Sequence, residues 1–243
     1  MEEKAFDDWL QFKSEFIQFL PKVEPAKPII SNFLFRGQKS ENWGIVSSFD
    51  RRARTPQSVS GKLLEQQRFY EYLMQFIGIG HTGANDFETA ARAQHYGIPT
   101  RLIDWTQSPY VAAFFAFFDA LLDSELDRNS RVAIYVLHIP SLISHPVAAD
   151  QFKLHNAPIA SNLRQRNQRG RFIEAIGQSN DILDFAQKNP DFFEALAKWT
   201  IPVSEAQAVL EDLILMGISP VDLYPDFEGV ANYFKLREKL DQL

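Results

Sequence analysis

A chain of 243 residues of which 45% are apolar can bury a continuous core as one large domain or two small ones, without a metal or disulfide staple. The complete lack of cysteine excludes thiol catalysis, disulfides, iron–sulfur clusters and Cys-ligated zinc, and it fits a reducing compartment. A formal charge of −6 excludes a surface that grips nucleic acid throughout. The opening residues are acidic where a signal peptide would be basic, and the longest apolar run, Val111–Phe118, is too short for a bilayer, so a soluble, cytoplasmic protein with no membrane partner is expected.

In chain order, Phe6, Trp9, Leu10, Lys13, Phe16, Ile17 and Leu20 recur at helical steps and predict an amphipathic packing helix ended by Pro21. A proline-containing linker, Val23–Pro28, leads into a predicted strand, Ile29–Phe35, with Arg36 and Gly37 at its end. Gly61–Ile77 reads as a helix. A second helix is expected from an Asn85 cap to Tyr96, with Gly97 as its stop and Pro99 just beyond. Ser108-Pro109 is a strong helix start, and the helix it opens, Val111–Leu122, is apolar all round and therefore central.

Strands are predicted at Arg131–Ile139, Phe172–Ile176 and Leu196–Val203, mixed with helices without a regular βαβ alternation, which places the chain in the α+β class. Ser204 with Gln207 reads as a capping box for a helix ending near Gly217, and Phe227–Leu240 as a closing helix. There is no internal repeat. Two basic stretches interrupt the acidic chain, Arg36–Arg54 and Lys153–Phe172, whereas residues 181–243 are strongly acidic. Arg164, Arg166, Arg169 and Arg171 alternate, so an extended strand would align all four as a phosphate-binding stripe or as a charged edge.

The densest polar chemistry lies in the stretch Gln94-His95-Tyr96-Gly97-Ile98-Pro99-Thr100-Arg101-Leu102-Ile103-Asp104-Trp105-Thr106-Gln107-Ser108-Pro109. Bland roles exist for each residue. Ser108 is by position an N-cap, Arg101 and Asp104 are spaced to brace a turn, Tyr96 and Trp105 are core or rim aromatics, and His95 is a structural histidine. The histidines show no metal-ligand spacing, so no metal is expected. GxGxxG, GK[ST] and GxSxG are all missing, which removes the commonest nucleotide-binding and hydrolase readings.

Together with Phe35-Arg36-Gly37 upstream, Gln168-x-Gly170-x-Phe172 downstream and Leu223-Tyr224-Pro225-Asp226 in the closing segment, this stretch resembles the FRG domain, a bacterial and phage family named for its Phe-Arg-Gly motif. The likeness implies an N-terminal helix and linker over residues 1–28 and an FRG domain over 29–243, with a helical C-terminal part at 204–243. A second likeness is to mono-ADP-ribosyltransferases. An aromatic-Arg-Gly at a strand end and a Thr-x-Ser before an apolar segment are similar to that family's Arg-Ser-Glu arrangement.

This second likeness implies a split mixed or antiparallel sheet surrounded by helices, with NAD as cofactor. Arg36 would anchor the dinucleotide, Gly37 offer its backbone, and Thr106 and Ser108 support the site. His95, Tyr96 and Trp105 would shape a nicotinamide pocket, and the third element would be either Glu174, which has the charge, or Gln168, which the FRG motif singles out. The implied function is a toxin or antiphage effector that transfers ADP-ribose to a protein, RNA or DNA acceptor and is restrained by an antitoxin or chaperone. The alternative is a non-enzymatic nucleotide- or RNA-binding module whose acidic C-terminal helices recruit a protein, and a third reading is an inert domain with Trp105 blocking the cleft. Glu174 facing the cleft favours transfer; Gln168 there with Glu174 elsewhere favours binding.

Overall fold

The computed structural model describes residues 1–19, 32–52, 87–95, 97–125, 127–156 and 163–242, with isolated helical positions between 61 and 76. Seven strands form one sheet in the order β1-β7-β4-β2-β3-β6-β5. They are β1 (Glu2–Ala5), β2 (Phe33–Gln38), β3 (Leu102–Thr106), β4 (Arg131–His138), β5 (Phe152–Asn156), β6 (Gly170–Ala175) and β7 (Leu196–Pro202). β1 runs parallel to β7, and every other pairing is antiparallel.

The helices among the described residues are α1 (Trp9–Phe19), α2 (Ser48–Arg52), α3 (Phe87–His95), α4 (Pro109–Leu122), α5 (Ile139–Ser144), α6 (Pro146–Gln151), α7 (Leu163–Asn167), α8 (Ile182–Lys188), α9 (Pro190–Phe193), α10 (Ala206–Leu215), α11 (Pro220–Leu223) and α12 (Phe227–Leu240). The fold is α+β, a mixed sheet with helices on both faces.

Because side chains alternate across a strand, Phe35, Val136 and Trp199 look to one face and Leu34, Tyr135 and Leu137 to the other. The first face is covered by α4, whose Ala112, Ala113, Phe114, Ala116 and Phe117 are fully buried, as an all-apolar helix requires. Around α4 pack Trp9, Phe12 and Phe16 of α1, Val209, Leu210 and Leu213 of α10, and Leu236 and Leu240 of α12. The second face is covered by Ala148, Ile182, Phe185 and Phe192. Proline at the first helical position and Ser108, whose Oγ accepts from the Val111 amide, start α4 as expected.

Several expectations are corrected. The N-terminal helix starts at Trp9 behind the short strand β1, and its buried stripe is Trp9-Phe12-Phe16 while Leu10 is exposed, because α1 turns Phe12 rather than Leu10 toward Trp199. β2 carries Arg36 and Gly37 near its end, as expected, and runs one residue further to Gln38. β3 and β5 are strands in segments that the sequence marks only by polar chemistry and by basic charge. The four arginines share no extended strand: Arg164 and Arg166 lie in α7, Arg169 is the turn residue at φ 48°, and only Arg171 is in β6.

The expected box at Ser204 and Gln207 is likewise absent, since the chain enters α10 through a 3-10 turn over Val203–Glu205. A capping box occurs instead at Ser219 and Asp222. Gly97 and Gly217 do end their helices, at φ 78° and 75°. The Val23–Pro28 linker, the Asn85 cap, Tyr96 and most of the Gly61–Ile77 helix lie outside the described residues. Among the described residues no helix is long and apolar enough to cross a membrane.

Candidate functional site

The site begins with an incomplete strand pairing. β2 pairs with β4 along its whole length, Phe33 to Gln38, and β3 with β6 from Leu102 to Thr106. β2 and β3 share only the pair Phe35 and Thr106, so the sheet opens between them. Arg36 stands in that opening, and its Nη1 donates to the backbone carbonyl of Asp104 at 2.6 Å, taking an acceptor that a continued ladder would have used.

Beside it lies a cavity of about 300 Å³. Its floor is β2, β3 and β6 through Phe35, Gly37, Asp104, Thr106 and Phe172; α3 contributes Ala91, Gln94 and His95, α4 contributes Ala112, Phe115 and Asp119, and Arg164, Gln168 and Tyr224 close the remaining side. A smaller cavity of about 160 Å³ shares Arg36, Gln94 and Asp104 with it and adds Ser48 and Arg51.

Cations and carboxylates are interleaved here. The Arg164 guanidinium lies 4.0 Å above the Tyr224 ring and donates to Glu228 at 2.8 Å, which aims it while leaving donors to spare. Burial pulls the Arg36 guanidinium below its ordinary value, with Asp104 opposing the shift; its charge persists. Burial pushes the Asp104 and Asp119 carboxyls above the usual range, against Arg36 and Arg164 for Asp104 and against Lys39 and Arg36 for Asp119. The Tyr224 phenol is pushed up to about 12, chiefly by burial.

A carboxyl raised in the folded state costs stability once it ionises. That cost is absent below the ordinary carboxylate pKa and grows as pH rises through the shifted one. Asp104→Asn is therefore expected to melt higher than the wild type near pH 7 and at the same temperature near pH 3, as read by thermal denaturation across pH. A variant that melts lower at pH 7 would show the charge to be stabilising instead.

Of the residues singled out in the sequence, Arg36, Gly37, His95, Trp105, Thr106 and Gln168 border the cavity, and Ser108 and Glu174 do not. Thr106 and Ser108 are occupied structurally. The Thr106 hydroxyl donates to the Gln168 carbonyl at 2.7 Å and accepts from the Ser108 amide at 3.0 Å, and Ser108 caps α4. Glu174 Oε2 lies 2.8 Å from His155 Nε2, and that imidazole is stacked on Phe87 at 4.4 Å.

Trp105 is only 3% exposed and its ring belongs to the core of the opposite face, so it does not bar the cavity. Arg101 does not brace a turn with Asp104. It donates to the Gly177 carbonyl at 3.1 Å, while Asp104 is held by Gln94. The cavity also holds Asp104, Asp119 and Tyr224, which the sequence does not single out as site residues, and Arg164, which it offers only as part of the arginine stripe. The signal for Asp104 was an acid placed centrally in an apolar pentapeptide, Leu102–Thr106, where solvation alone gives no reason for it.

Residues 31–125 match the family model of the FRG domain, a span that contains Phe35-Arg36-Gly37 and the 94–109 motif and leaves Gln168, Gly170 and the closing segment beyond it. No curated protein and no solved structure matches the chain.

Proposed function

We propose that this chain, which carries an FRG domain over residues 31–125, binds a phosphate-bearing nucleotide of the NAD class in the cavity beside the β2–β3 opening. The observation that carries the reading is the composition of that cavity. Three guanidinium groups, Arg36, Arg164 and Arg171, border it together with the amides of Gln94, Gln165 and Gln168, while Glu174 is engaged by His155 outside it. Guanidinium forks suit phosphate oxygens, amides suit base and ribose edges, and a cavity of this size holds a small ligand.

The C-terminal helix supports the partner half of the same reading. Phe227, Val230 and Phe234, at helical spacing on α12, are 94%, 61% and 63% exposed, an apolar stripe of the kind that protein partners cover.

ADP-ribosyl transfer to a macromolecular acceptor, as a toxin or antiphage effector, is the second reading, and Asp104 favours it. Its carboxylate borders the cavity, where an anion can stabilise positive charge on a ribose as its base departs. Titration with NAD tests binding, and following labelled NAD into the protein, RNA and DNA fractions of a lysate tests transfer. Saturable binding without label in any fraction supports the binding module. Label that persists in Glu174→Gln and vanishes in Asp104→Asn supports transfer through Asp104.

A further inference from the structure

β3 is buried at Leu102, Ile103, Trp105 and Thr106, and open only at Asp104. The open position carries a charge that makes no ion pair within the salt-bridge distance among the described residues. It is nevertheless held in place. Gln94 Nε2 donates to Asp104 Oδ2 at 2.6 Å. The Thr100 hydroxyl donates to Gln94 Oε1, and the Thr100 amide donates to Ser48 Oγ at 3.1 Å. Turned the other way, the Gln94 amide would set its oxygen against the carboxylate. Three residues outside β3 thus orient an anion that stays open at the cavity.

The cations that act on it are Arg36 from β2 and Arg164 from α7, and the cavity's other titratable groups are Arg171 from β6, His95, Asp119 and Tyr224. A carboxylate accepts two hydroxyl protons at once, and a ribose presents two adjacent hydroxyls. Inorganic phosphate or a polyphosphate offers it only repulsion.

We propose that Asp104 accepts the vicinal hydroxyls of a ribose whose phosphates lie on Arg36 and Arg164, so that the ligand is a ribonucleoside diphosphate or a molecule built on one. This rests on the nucleotide reading of the cavity and adds the sugar to it. Gln94 keeps the carboxylate in the orientation that receives the diol.

The test is calorimetric titration of the full chain with ADP, with 2′,3′-dideoxy-ADP and with NAD, repeated on Asp104→Asn. Hydrogen bonds to a charged group set the expected preference of the wild type for ADP over its dideoxy analogue at about tenfold to a hundredfold. In Asp104→Asn, a near-isosteric change, that preference is expected to fall below about threefold, because an amide accepts through one oxygen only. Equal affinity for ADP and dideoxy-ADP in the wild type would overturn the ribose assignment and leave the nucleotide reading standing, as would a preference for ADP that is undiminished in Asp104→Asn. Failure of all three ligands to bind would remove the nucleotide reading and this assignment with it.

Discussion

Gly37→Ala is expected to destabilise the protein by about 3 kcal/mol or more and to lower its melting temperature by roughly 10 °C, the range for overpacking a closed core in a domain of this size. A Cβ on Gly37 would stand 1.8 Å from the Ala112 carbonyl oxygen, 2.8 Å from its carbon and 3.0 Å from the Ala116 amide nitrogen. Those are backbone atoms of α4 at buried Ala112 and Ala116, and no side chain can swing aside to admit the methyl. Relief requires α4 to lift from β2, which separates the core packed around α4 and deforms the cavity bordered by Gly37, Ala112 and Phe115.

Gly170 is the matched control. It also borders the cavity, but its nearest neighbour to an added Cβ is the Gln165 carbonyl oxygen at 3.4 Å, so Gly170→Ala is expected to cost under about 1 kcal/mol. Thermal and urea denaturation of both variants decide the matter. Equal stability of Gly37→Ala and wild type would mean that α4 does not sit this close to β2.

Arg36→Gln is expected to weaken NAD binding by about tenfold to a hundredfold, the scale of losing hydrogen bonds to a charged group in a partly desolvated site. Glutamine removes the charge and is shorter than arginine, so the bridge from Nη1 to the Asp104 carbonyl is lost with it. Arg36→Lys is expected to recover only part of the affinity, since one ammonium cannot reproduce a planar fork shared between a carbonyl and a phosphate. Isothermal titration with NAD reads both variants, with melting curves to show that they are folded.

The elements that the sequence displayed openly were those with one dominant periodicity or a sharp boundary. α4 announced itself through Ser108-Pro109 and its unbroken apolar run, β4 through its β-branched content, and α12 through its length. β3 was hidden because it is buried on both faces except at Asp104, so no alternation appears, and the exposed acid looked like loop chemistry. β5 alternates Phe152 and Leu154 with Lys153 and His155, but its five residues merged with the basic residues that follow.

The arginine run misled for a related reason. Residues spaced by two align only in an extended chain, and here a helix and a left-handed turn at Arg169 break the run. At the site, the Phe-Arg-Gly and Gln-x-Gly motifs led to Arg36, Gly37 and Gln168 because their chemistry is local in sequence. Asp119, Arg164 and Tyr224 reach the cavity from three separate elements, and only the tertiary fold brings them together. The His155 and Glu174 pairing was equally out of reach, since it depends on the register of β5 against β6.

The most direct test of the nucleotide-binding cavity is titration of the full chain with NAD, wild type beside Arg36→Gln. The expected result is saturable one-site binding by the wild type and at least a tenfold loss in the folded variant. Absence of binding by the wild type, or equal affinity in the two, would contradict a nucleotide site at Arg36.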